Sequence, residues 1–153
     1  QRQMCIRDRE ETDFRLGKGI VLREGSDVTI LSSGIMVAEA LKAAELLEKQ
    51  QIRAEIINIH TIKPLDTRLI IESAAKTGCV VTAENGSIYN GLGSAAAECL
   101  AEHLPRPMKR IGVQDCFGQI GHVEELLNAF HMAAEDIAAA AAELVRNKEK
   151  GGL

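Results

Sequence analysis

The chain has 153 residues, 46% hydrophobic and 26% charged, with a formal net charge of -4. That length and balance fit one globular domain and exclude a disordered chain. Both signs of charge are mixed, there is no basic block to grip nucleic acid, and no apolar run approaches the roughly 20 residues of a membrane span.

Gln1 to Arg9 (QRQMCIRDR) has neither helical nor strand periodicity and is read as a non-native or disordered tail. The first β-type run is Gly19–Leu22. Asp27–Leu31 follows a short turn and is β-branched and apolar throughout, which fits a strand covered on both faces. Ser32-Ser33-Gly34 ends it and opens a helix whose buried stripe is predicted as Val37, Ala40, Leu41, Ala44 and Leu47. On the outer side of that helix, Glu45 and Lys49 stand in the favourable i,i+4 order.

Ala54–Ile59 is the next strand, followed by the connector His60-Thr61-Ile62-Lys63-Pro64. Pro64 cannot donate to a sheet. Asp66 is then placed as an N-cap, with Leu65 and Ile70 as a hydrophobic staple, and Gly78 closes the helix. A third strand is expected at Cys79–Ala83, a glycine loop from Glu84 and a helix from Leu92 to His103, stopped by Pro105 and Pro107. Met108–Val113 is a more polar strand, expected nearer an edge. After a loop, two helices are expected at His122–Phe130 and Glu135–Arg146, the last burying Ile137, Ala141, Leu144 and Val145. Strands alternating with helices predict an α/β domain: a three-layer sandwich with a mostly parallel five-stranded sheet and helices on both faces.

Two strand-to-helix turns have the N–H groups and dipole direction that suit an anion. One holds Ser33 and Gly34; the other holds Glu84, Asn85, Asn90, Gly91, Gly93 and Ser94. Neither reads as a P-loop or a G-x-G-x-x-G dinucleotide fingerprint. These eight residues are therefore taken as a candidate anion site or an interface loop, with tight turns and close helix approach as the plainer use of the glycines. Glu84 is one carboxylate without an identified catalytic partner, so capping of backbone N–H groups competes with acid–base work. His60 can reach a ligand from a strand end, and His122 starts a helix. The four cysteines, Cys5, Cys79, Cys99 and Cys116, show no C-x-x-C spacing and read as small buried hydrophobes of a reducing cytosol. No His, Asp and Glu set has metal-ligand spacing.

From Phe14 to Arg146 the chain resembles the C-terminal domain of transketolase, and most of all the separate C-terminal subunit of split transketolases. Four segments carry the likeness in order: GKGIVLREGSDVTILSSGIMVAEALKAAELL, INIHTIKPLD, VVTAENGSIYNGLGSAAAE and PMKRIGVQDCFGQIG, before two final helices. Deoxyxylulose-phosphate synthases and the beta chains of 2-oxo-acid dehydrogenases share the domain and stand as alternatives, as does a regulatory anion- or nucleotide-binding module. The resemblance implies a cytoplasmic, dimeric enzyme that moves two-carbon ketol units between sugar phosphates with thiamine diphosphate and magnesium. It also implies that the pyrophosphate- and pyrimidine-binding domains lie upstream of this one, so this chain alone carries no catalytic or cofactor residues and is expected to be inactive. Its partners are then the upstream domains or an N-terminal subunit, with no nucleic acid and no membrane. The expected layout is a tail at 1–9, a linker from a missing pyrimidine-binding domain at 10–17, the domain at 18–147 and a frayed end at 148–153. The sequence leaves the family pattern at Asn85 and Gly86, where a second acid and a histidine are usual. It leaves it again at Asn90, where glycine is usual, and at Met132-Ala133, where a threonine cap of the last helix is lost, at about 1 kcal/mol if uncompensated.

Overall fold

A computed structural model describes residues 14–151. The expected tail at 1–9 and the first part of the linker lie outside them, as does Cys5. Five strands form one sheet: β1 (Ile20–Arg23), β2 (Val28–Ser32), β3 (Ala54–Asn58), β4 (Val80–Ser87) and β5 (Met108–Val113). Their spatial order is β1-β3-β2-β4-β5. β2, β3, β4 and β5 are parallel; β1 runs antiparallel to β3, with Ile20 opposite Asn58. β2 and β3 are buried at every position, the outcome expected of unbroken apolar runs in a sheet covered on both faces. β5 is half-buried and lies at the edge, as its polar composition suggests.

Helices α1 (Met36–Glu48) and α5 (Ala134–Glu149) cover one face; α2 (Thr67–Thr77) and α3 (Leu92–His103) cover the other. The three-layer α/β architecture is thus present. Ile30, Ile56 and Val81 meet Leu47, Ile137 and Leu144 in one core, while Leu31, Ile57 and Val80 meet Ile70, Leu92 and Leu100 in the other. Strand alternation divides the two sets, because successive side chains point to opposite faces. The short α4 (Val123–Ala129) follows β5, and its Leu127 joins the α1–α5 core.

Four expectations need correction. The stripe of α1 is rotated: Met36 and Ala43 are buried with Ala40, Ala44 and Leu47, while Leu41 is exposed. The ion pair on its outer side joins Lys42 to Glu39 at 2.7 Å, not Glu45 to Lys49. β4 does not stop at Ala83; it runs through Glu84, Asn85 and Gly86 to Ser87, which pairs with Val113 after a bulge in the register. A bulge re-aims side chains without ending the strand. Finally, α5 continues past 147 to Glu149. Its Lys148 ammonium donates to the carbonyls of Asp27 and Thr77, each at 2.9 Å, so this turn is anchored and not frayed.

Candidate functional site

The C-terminal ends of the parallel strands bring the two expected turns side by side. The Ser33 N–H donates to the Ala83 carbonyl at 3.2 Å, which ties the start of the β2–α1 turn to β4. Yet α1 and α3 leave on opposite faces of the sheet, so their N-termini do not converge on one point. At the α1 turn Gly34 has φ +57, and no side chain caps the helix. Instead the N–H groups of Met36, Val37 and Ala38 bond back three residues to Ser33, Gly34 and Ile35 at 3.2–3.3 Å. The first-turn donors are already engaged.

The second turn is built around Glu84, which is 6% exposed. Its two carboxylate oxygens accept the N–H groups of Leu92 at 2.8 Å and Gly93 at 2.7 Å. A buried carboxylate needs such donors, and the first N–H groups of α3 need acceptors, so each supplies what the other lacks. The glycines follow from this contact. A Cβ at position 91 falls 1.9 Å from Glu84 Oε2, and one at position 93 falls 3.0 Å from Glu84 Oε1 and Thr82 Oγ1. The G-L-G spacing lets the helix start close enough to be capped from inside the sheet.

The rest of the turn is held by its own polar groups. Asn90 has φ +62, a conformation asparagine tolerates better than most non-glycine residues, and its N–H donates to Ser94 Oγ at 2.9 Å. Ser94 Oγ donates to the Ile88 carbonyl at 3.2 Å, and Arg110 donates to the same carbonyl at 3.0 Å while lying over the Tyr89 ring. Asn85 is exposed and does not join this network. It lines a small apolar groove with Ile35, Val113, Val123, Phe130 and Met132.

The histidines remain apart. His60 is half-buried beside Phe14, whose ring meets it edge-on at 5.1 Å, and its Nδ1 lies 3.1 Å from Thr61 Oγ1. His122 is exposed at the N-cap of α4. Among the described residues no group of three or more His, Cys, Asp or Glu side chains is placed to hold a metal ion. Burial pushes the Cys79 and Cys99 thiols up, which leaves them protonated and inert. Cys116 departs from the buried-hydrophobe reading, because it is exposed on the β5–α4 loop.

One polar cluster was not foreseen. Glu55, 1% exposed within the apolar run of β3, pairs with Lys76 of α2 and accepts the Thr29 hydroxyl at 3.1 Å. Thr29 Oγ1 lies 2.7 Å from Thr77 Oγ1. The available signal was an acid inside a strand with no room for water, together with a lysine in the last turn of the next helix.

The family model for the transketolase C-terminal domain matches residues 17–137. The chain belongs to the transketolase C-terminal domain family. It is 55% identical over 141 residues to a protein named as a 6-deoxy-6-sulfo-D-fructose transketolase subunit, from Clostridium sp. strain MSTE9; the match covers 92% of this chain and 44% of that one. It is 43% identical over 138 residues to a 1-deoxy-D-xylulose-5-phosphate synthase of Heliobacterium modesticaldum, covering 90% of this chain and 21% of that one. A solved structure described as a split-gene transketolase, an inactive β4 tetramer, superposes with a TM-score of 0.84 at 43% identity, covering 90% of this chain and 44% of that one. The chain thus spans less than half the length of these relatives. In this transketolase C-terminal domain the glycine turn is closed by the chain's own Glu84. No helix among the described residues is long and apolar enough to cross a membrane.

Proposed function

We propose that this chain is the C-terminal section of a transketolase-type assembly that transfers two-carbon ketol units between sugar phosphates. It organises the assembly, a dimer in the cytoplasm, and is inactive by itself. The observation that carries this reading is the capture of the α3 N–H groups by Glu84. It turns the most site-like turn of the chain into a structural joint and leaves it without an acid–base pair.

Thiamine diphosphate and magnesium are implied by the family, and the described residues do not fit them. A diphosphate needs free donors and the metal needs oxygen ligands. Here the N–H groups of Met36, Val37 and Ala38 at one turn and of Leu92 and Gly93 at the other are engaged, and no group of three or more metal-ligating side chains is placed together among the described residues. The cofactor belongs to the upstream sections, as does the choice of ketol donor. The 55% identity to the sulfo-sugar transketolase subunit makes 6-deoxy-6-sulfo-D-fructose a donor to assay beside fructose 6-phosphate.

The test joins the upstream section of the Clostridium relative in front of this chain and adds the matching N-terminal subunit, thiamine diphosphate and magnesium. Ketol transfer is expected from the completed assembly and not from the chain alone. Turnover by the chain alone, or none from a folded and associated assembly, would contradict the proposal.

A further inference from the structure

We infer that the other end of the sheet, at the strand N-termini, carries a binding site for a small organic anion with two or more anionic groups. The site is the cavity between the α1–β3 turn and the last turns of α5. It has a volume of about 530 Å³ and is walled by Gln50, Gln51, Arg53, Arg146, Lys148 and Asp27. That volume falls in the range of small-molecule sites. The wall is rich in donors and poor in acceptors. Arg53 is held through its backbone N–H, which donates to Asp27 Oδ2 at 2.7 Å. Its guanidinium and that of Arg146 have no hydrogen-bond or ion-pair partner among the described residues. Lys148 uses two of its three N–H groups on the carbonyls of Asp27 and Thr77, which leaves its charge without a bonded carboxylate. The acid on the wall, Asp27, is already occupied: Oδ1 accepts the Ser26 hydroxyl at 2.9 Å and Oδ2 the Arg53 N–H. Three cations against one carboxylate leave positive charge in excess, although the chain as a whole is acidic.

Helix ends alone do not account for the cluster. Arg146 and Lys148 stand in the last turn of α5, where cations complement the helix dipole. Arg53 belongs to no helix; it precedes β3 and lines the same cavity from the other element. Cations gathered in a concave wall concentrate an anion there, and two guanidinium forks match the oxygens of carboxylates and phosphates. Size and layout choose the occupant. A single inorganic phosphate fills a small part of the cavity and meets few of its cationic heads, so it is not held at millimolar concentration. An anion charged at both ends reaches Arg53 with one group and Arg146 and Lys148 with the other. Thiamine diphosphate with magnesium is not such an anion, because the metal and the thiazolium ring offset the charge of its diphosphate. The occupant is a bisphosphate ester or a polycarboxylate.

Calorimetry tests this with fructose 1,6-bisphosphate and citrate, titrated separately into the chain at low ionic strength, where exposed charges are least screened. Saturable binding of one molecule per chain is expected for at least one of them. Binding of the bisphosphate alone assigns a phosphate ester, and binding of citrate alone a polycarboxylate. Arg53→Gln with Arg146→Gln is expected to weaken the affinity about tenfold or more, the effect of losing charged hydrogen bonds to the anion. The thermal transition is expected to stay unchanged, since neither guanidinium holds the fold together. Lys42→Gln with Arg68→Gln removes the same charge from other faces, where these cations pair with Glu39 and Glu72. That control is expected to leave the affinity within about twofold. No saturable heat with either anion overturns the inference. An equal loss of affinity in both variants also overturns it, because the anion would then answer to the charge of the whole chain and not to the cavity. Failure of the inference leaves ketol transfer by the completed assembly untouched, since that reading rests on other residues.

Discussion

Glu84 behaves as a cap placed inside the sheet. Glu84→Gln keeps one acceptor oxygen but turns an NH2 group toward a backbone N–H of α3, so about 2 kcal/mol of stability is expected to be lost in urea unfolding, with an unchanged m-value. Gly91→Ala is expected to cost at least as much, because its Cβ falls 1.9 Å from Glu84 Oε2 in packed surroundings. With those donors engaged, millimolar phosphate is expected to leave the Tm of the chain unchanged; a clear rise would mean that an anion does bind. At Glu55 the chemistry is different: Lys76→Ala leaves a buried carboxylate without its cation and is expected to cost about 2 to 3 kcal/mol. The hydrogen bonds from Lys76 to Glu55, and next to Glu24, raise the Lys76 pKa above 10.5. A raised lysine stabilises the fold fully below pH 10.5, and that contribution is lost as pH climbs through the folded value. Stability measured against pH should therefore fall at the alkaline end in the wild-type chain and fall less in Glu55→Gln.

Among the elements, α5 shows how a missing cap is replaced. Ala133 stands at its N-cap and has no side-chain oxygen. Asp136 accepts the Ala133 N–H at 3.1 Å, and Glu39 of α1 reaches across to accept the Ala134 N–H at 3.1 Å. The cost of the lost threonine is thus compensated by a neighbouring helix, which also explains why Glu39 is not a free surface acid. Glu39→Ala should destabilise the chain by about 1 kcal/mol, Glu39→Gln by less, and the exposed Glu45→Ala by almost nothing in the same unfolding assay. The identity of every helix and strand was legible from periodicity and punctuation: Asp66 does accept the Leu69 N–H at 3.3 Å, and Gly78 does sit in the left-handed region at φ +80. What local pattern missed was set by neighbours. The stripe on α1 turned because α5 packs on Met36 and Ala43, β4 ran on to Ser87 because β5 gives it a partner, and the last turn of α5 is fixed by carbonyls of β2 and α2 flanks far away in sequence.

For the whole molecule, the two faces of the sheet are filled and the strand C-terminal edge is left apolar and acidic. An open α/β sheet ordinarily offers that edge to a ligand. Here the first N–H groups of α1 and α3 are met by the chain's own groups, and its exposed side chains include hydrophobic and acidic ones. Thiamine diphosphate with magnesium is accordingly expected to give no thermal shift with the chain alone, and to give one once the upstream section and N-terminal subunit are present. A shift with the chain alone would place cofactor contacts on it.

The sequence by itself determined the class of the fold and the two buried faces, because hydrophobic period and turn chemistry are local and repeat along the chain; the family came from the resemblance of four ordered segments and not from periodicity. The sequence also marked Glu84 and the G-L-G turn as unusual. Only the tertiary structure decided what they do. Strand, bulge and helix start are brought together there so that the carboxylate meets two backbone donors, and donors met from within are no longer offered to a ligand. The same holds for Glu55 and Glu39, whose partners lie on other elements. A charge read along the sequence is only a charge; its role depends on which desolvated groups the fold sets against it.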